Sequence, residues 1–177
     1  MVLIAKFLFL ALTATATPIL RRDATTVQND ITQKIDPHIT KLNNDVNGFP
    51  ASGFAGSLTI HDDFQTLATV VKATTDDIKA TGSFGIVSGT SILSSVQSLT
   101  PKLTDTLDAI GSKEADWAAL PDGKALMLSD LQSLQKLFSD FDNSLTAAEP
   151  FIVQPGVLVV QTEISGAFDS AIAEYSS

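Results

Sequence analysis

Few residues in this chain could do chemistry. There are two histidines, His38 and His61, and no cysteine. Thiol nucleophiles, disulfide frameworks and Cys-based zinc sites are therefore excluded. The most suggestive triplet is His61-Asp62-Asp63. A metal would need three or four converging ligands, whereas adjacent residues of a helix point in different directions. The triplet reads instead as a helix first turn, where acids meet the positive end of the dipole. Asp36-Pro37-His38 reads as a polar step within a helix. Gly89-Thr90-Ser91 does not complete a nucleophile elbow, and there is no Walker loop, dinucleotide fingerprint or zincin motif. Charges sharing a helical face, such as Asp76 with Lys79 or Asp105 with Asp108, read as solvated surface. The expectation is a protein that is not an enzyme, with no cofactor and no metal.

Aromatic residues offer the other chemistry. Trp117, the single tryptophan, lies between acidic and apolar neighbours in Glu114–Leu120. It reads as a plug against one end of a bundle, with a surface anchor as the alternative. Phe49 and Phe54 pose a similar choice between folding over a core and gating it.

These residues must be positioned by the rest of the chain, and its start comes first. Lys6 precedes an apolar run, Phe7 to Leu12, and Ala14-Thr15-Ala16 has the form of a signal-peptidase site. The run is too short to span a bilayer, which takes about 20 residues. Arg21-Arg22 resembles a dibasic processing site. Residues 1–22 are thus expected to be a leader and short pro-segment, and 23–177 a single secreted domain. That domain holds 8 Lys, no Arg and 20 acids, a net charge of −12. Nucleic acid is not an expected partner, because phosphate binding needs clustered cations. The C-terminus is too polar for a GPI signal.

Apolar residues recur at spacings of three and four, the mark of helices with one buried stripe. The segments are about 24 to 47 (Val27, Ile31, Ile35, Ile39), 58 to 81 (Ile60, Phe64, Leu67, Val71), 86 to 111 (Val96, Leu99, Leu103, Leu107), 124 to 147 (Met127, Leu131, Leu134, Phe138) and 152 to 175 (Val160, Ile164, Phe168, Tyr175). The Gly- and Pro-rich stretch Gly48–Ser57 reads as a loop, as does the stretch around Trp117. The β-branched run near 151 to 162 could form strands, but Pro155 suits the first turn of a helix. The predicted fold is all-α, a bundle of about five antiparallel helices. Pro37 and Pro101 fall inside two of them. Either each marks a helix boundary, the preferred reading, or each kinks its helix and leaves space around an apolar cavity.

The leader, the segment Leu128-Ser-Asp-Leu-Gln-Ser-Leu-Gln-Lys-Leu137 and the ending Ile164-Ser-Gly-Ala-Phe-Asp-Ser-Ala-Ile-Ala-Glu-Tyr-Ser-Ser177 resemble the fungal hydrophobic surface-binding protein A family, which includes cell-wall galactomannoproteins. The resemblance runs from about Asp23 to the end. It implies five helices and binding to hydrophobic material: solid surfaces for some members, fatty-acid-type lipids inside the bundle for others. The chain lacks the Ser/Thr-rich tail and anchor signal of wall-attached members.

Two functional expectations follow. The first is a secreted binder of a long-chain fatty acid held between helices. Burying an acyl chain gains about 0.8 kcal/mol per methylene. An empty 300 Å³ void would cost about 7 kcal/mol, so a cavity either fills or collapses. The candidate walls are Leu67, Val71, Leu131, Leu134, Phe138, Ile164 and Phe168, each also readable as plain core. The second is adsorption to wax or polyester, where secreted hydrolases would be partners, or a structural role at the cell wall. A monomer, extracellular or wall-associated, is expected in each case.

Overall fold

The computed structural model describes residues 23–176. The leader features, Ala14-Thr15-Ala16 and Arg21-Arg22, lie outside them. The described chain is helical without strands. A long first helix comprises α1 (Ala24–Asp30), a π-helical segment (Ile31–Ile35) and α2 (Asp36–Gly48). Then come α3 (Gly53–Thr81), α4 (Ile86–Gly111), the short α5 (Glu114–Ala118), α6 (Gly123–Ala148) and α7 (Gln154–Ser176).

The chain starts with a cap. The Asp23 carboxylate accepts the Thr26 amide at 2.8 Å, satisfying a donor that the first turn leaves free. The same bond holds the Asp23 carboxyl below its ordinary range. Many threonines and serines follow, which favour helices poorly. Here their hydroxyls donate to the carbonyl one turn back, as Thr75 does to Val71 and Ser91 to Val87.

Neither proline ends its helix, and the boundary reading is corrected. The turn before Pro37 widens so that the Asp36 amide reaches Ile31 O, five residues back. This π turn absorbs the ring and missing N–H of Pro37 without breaking the helix. Pro101 lies inside an uninterrupted α4. Two further corrections concern elements. α3 begins at Gly53, so most of the stretch read as a loop is helix, and His61-Asp62-Asp63 sits in its third turn rather than its first. The segment around Trp117 forms α5 rather than a loop.

The five long helices close a ring. The first lies between α3 and α4, α3 packs on α6, α6 on α7, and α7 on α4. Their stripes meet in one core, with Ile35, Ile60, Leu67, Val71, Leu103 and Leu131 fully buried. Leu107, Ile110 and Tyr175 extend it toward the α5 end, where the Tyr175 hydroxyl donates to Ile110 O at 2.7 Å. Trp117 is buried there too, its ring centroid 4.8 Å from that of Phe49, and Lys113 donates to Phe49 O. Trp117 is thus a plug and not an anchor. Gly123 makes this corner possible, because a Cβ there would stand 2.4 Å from Trp117 O. Gly123→Ala should therefore cost about 1–3 kcal/mol, read as a lower urea midpoint.

The opposite end joins two turns. Gly82 closes α3 with φ of 85°, a left-handed conformation that favours glycine. The Phe84 amide then donates to Ala148 O at 2.8 Å. This ties the α3–α4 turn to the end of α6.

Candidate functional site

Two features stand out on this frame. The first is a solvent-open groove of about 400 Å³ between α6 and α7, within the 300–1,000 Å³ span of small-molecule sites. Phe138, Ile164 and Phe168 form its apolar floor. The Phe138 and Phe168 rings lie 5.7 Å apart at 42°. The rim is polar. Gln135 Nε2 donates to Asp169 Oδ1 at 2.7 Å, bridging the two helices. Gly166 leaves the groove wide, since nothing lies within 4 Å of where its Cβ would be.

Asp142 completes the groove and is its most unusual residue. It is 2% exposed, and its Oδ1 is buried without a hydrogen-bond partner. Burial alone pushes its carboxyl up to about 7, because a charged form would lose water and gain nothing in return.

The second feature is the end of the bundle around the α3–α4 and α6–α7 turns. Ile86, Val87, Phe151 and Ile152 are exposed there, Val87 at 81% and Phe151 at 87%. Leu158 and Val159, one turn into α7, are half-exposed. Beneath this apolar cap lies Glu149. Both its carboxylate oxygens are buried without partners, and burial raises it to about 7. It fits only because α4 carries Gly89 opposite, where a Cβ would stand 1.9 Å from Oε2.

The seven sequence-predicted wall residues divide. Phe138, Ile164 and Phe168 come together in the groove. All seven are buried in the one core, so those three underlie the groove as core residues, and Leu67, Val71, Leu131 and Leu134 lie within the ring. Of the loop phenylalanines, Phe49 is buried and Phe54 is 61% exposed.

The titratable residues do not converge on a reaction centre. His61 Nδ1 pairs with Asp130 Oδ2 at 2.8 Å, and Gln65 donates to Asp130 Oδ1 at 3.1 Å. This ties α3 to α6. Burial raises the Asp130 carboxyl, against the pull of His61 and Gln65. Asp63 faces away to Lys41, at 2.6 Å. Among the described residues, no group of three or more His, Asp or Glu could hold a metal.

Sequence reasoning missed Asp142, Glu149, Gly166 and the apolar end. A signal for Asp142 existed. It stands four residues after Phe138 and three before Leu145, on the apolar stripe itself.

The model of the hydrophobic surface binding protein A (HsbA) family matches residues 24–147. The chain belongs to the HsbA family. No curated protein matches it. Among solved structures, the HsbA chain is similar to AFMP4P, crystallised in complex with palmitic acid. That likeness has 27% identity and a TM-score of 0.82, covering 86% of this chain and 99% of that one. Ligand-binding domain 1 of Penicillium marneffei MP1 protein, complexed with arachidonic acids, shares the fold at 14% identity and a TM-score of 0.80, over 87% of this chain and 99% of that one. Domain 2 of the same protein, complexed with multiple arachidonic acids, does so at 12% identity and 0.77, over 89% and 99%. These matches confirm the all-α helical fold and the family expected from the sequence. No described helix of the HsbA chain is long and apolar enough to cross a membrane.

Proposed function

We propose that this HsbA-family chain is a secreted, non-catalytic binder of long-chain fatty-acid-type lipids, with the acyl chain lying in the α6–α7 groove. The observation that carries this reading is the aromatic and aliphatic floor of Phe138, Ile164 and Phe168 beneath a groove of about 400 Å³. AFMP4P, crystallised with palmitic acid, supports it. Each methylene taken from water gains about 0.8 kcal/mol, against an association cost of about 4–15 kcal/mol. A long chain can therefore bind without a cationic clamp. Removal of residues 1–22 belongs to the same reading, and the Asp23 cap places the first described helix directly after Arg22. The protein acts as a monomer.

Gly166→Trp tests the groove. The indole would occupy open space, and replacing glycine inside a helix favours the helix by up to about 1 kcal/mol. The variant should keep or raise its melting temperature and lose its response to long-chain fatty acid. Native mass spectrometry of the secreted wild type should show a co-purified lipid that the variant lacks. Equal lipid loading of the two proteins would refute the groove assignment.

A second reading has its own observation. The cap of Ile86, Val87, Phe151 and Ile152 is suited to lie on wax or polyester, where secreted hydrolases would be served. Replacing all four by serine should abolish adsorption to a hydrophobic bead. Wild-type adsorption should hold or strengthen at high salt. Loss of binding in salt would mark charge rather than apolar contact.

A further inference from the structure

The α6–α7 groove contains an acceptor that the protein itself leaves unmet. Asp142 lines the groove, is 2% exposed, and keeps a buried Oδ1 without any donor. Leaving such an atom unpaired costs the full desolvation of the group. The other charged residue of the lining, Asp169, already accepts from Gln135. No lysine lines the groove. A carboxylate anion placed here would meet two acidic side chains and no cation. A hydroxyl or primary amide that settles between α6 and α7 would instead hand its hydrogen to the Asp142 carboxylate, whose Oδ1 has no donor of its own. Phe138 lies one helical turn from Asp142 and Gln135 one turn further, so a chain anchored at Asp142 would run along the apolar floor toward Gln135.

Resting on the lipid-binding reading above, we propose that Asp142 is the head-group acceptor of the groove. The groove thereby selects an uncharged head that donates a hydrogen bond over a carboxylate anion. The ligand class is a long-chain alcohol, a primary fatty amide or an undissociated fatty acid.

The test measures affinities of the whole secreted protein at about pH 8, by displacement of a fluorescent fatty-chain probe. The competitors are hexadecanol, hexadecanamide, methyl hexadecanoate and hexadecanoate. The ester keeps the chain and lacks both donor and charge. The alcohol and amide should bind about tenfold tighter than the ester, and hexadecanoate should bind more weakly than the ester. Asp142→Leu should bring the alcohol-to-ester ratio to about one. Asp142→Asn keeps a carbonyl acceptor without the charge, so it should retain the alcohol preference and admit hexadecanoate. Should the leucine variant fail to fold by circular dichroism, the asparagine variant carries the test through its hexadecanoate-to-ester ratio, which must rise. An ester that matches the alcohol in the wild type overturns the head-group assignment and leaves the groove standing. So does an alcohol preference that survives in the leucine variant, or a ratio unmoved by asparagine. If no competitor displaces the probe, or Gly166→Trp binds all four like the wild type, the groove reading itself falls.

Discussion

Raising the pH from about 4.5 to about 8.5 should lower the melting temperature of this protein by on the order of 10–20 °C. The cause is the pair of unpartnered carboxyls, Asp142 and Glu149. Both are buried, and burial raises each to about 7, from 3.8 and 4.5 respectively. Between those limits the native state holds protons that the unfolded chain has released, so stability falls as pH rises. The full stability is present below the unfolded values, is lost on passing through about 7, and changes no further above that. At about 1.4 kcal/mol per pH unit between pH 4.5 and about 7, the loss is on the order of 3 kcal/mol for Asp142 and, after screening by solvent at the bundle end, on the order of 2 kcal/mol for Glu149. Asp63 and Asp130 are also raised, chiefly by burial, and act in the same direction. Asp23, Asp45 and Asp76 are lowered, chiefly by hydrogen bonds from Thr26, Lys41 and Lys72. Their contribution is lost as pH falls below about 4, which leaves an acidic optimum.

Amide variants isolate the pair. Asp142→Asn and Glu149→Gln cannot ionise, so each should melt above the wild type at pH 8.5 and at or slightly below it at pH 4.5. The double variant should show a much shallower profile, the remaining slope coming from Asp63 and Asp130. Calorimetry at both pH values decides the matter. A wild type that is insensitive between pH 5 and 8 would show that water or a shifted turn already solvates these groups.

Trp117→Ala is the second large effect, with an expected loss of about 3–5 kcal/mol. Trp117 is 1% exposed and stacks on Phe49, so truncation opens a void between α5 and the α2–α3 turn and strips Phe49 of its partner ring. Trp117→Phe keeps a ring against Phe49 and removes an indole N–H that is buried without an acceptor. Its loss should therefore stay below about 2 kcal/mol. Urea unfolding followed by circular dichroism reads both, since the chain has no other tryptophan. Equal losses in the two variants would show that the ring contact contributes nothing beyond volume.

The helices were legible because a 3.6-residue repeat leaves a mark wherever one face is buried, as Met127, Leu131, Leu134 and Phe138 show. What escaped follows from physics that the repeat does not carry. Gly53, Phe54, Ala55 and Gly56 look like loop by composition, yet they begin α3. Pro37 looked like a boundary because a lost hydrogen bond is local, whereas the π turn that absorbs it involves the preceding five residues. Phe138, Ile164 and Phe168 were readable as inward-facing. Which pair of helices would carry a groove above them depended on how the ring closes. Glu149 was hidden because its burial depends on Gly89, 60 residues away on α4.

The cap of Ile86, Val87, Phe151 and Ile152 gathers the most exposed apolar side chains at one tip of the bundle, and that placement governs how a coat would assemble. A molecule held by Ile86, Val87, Phe151 and Ile152 stands upright. α4, with 26 residues, would then rise about 39 Å from the support. Each copy takes up only the cross-section of a bundle and turns its acidic sides toward its neighbours. Crowding of such a brush is limited by mutual repulsion across gaps comparable to the Debye length, about 8 Å at physiological ionic strength. The layer should be sparse in dilute buffer and thicken in brine.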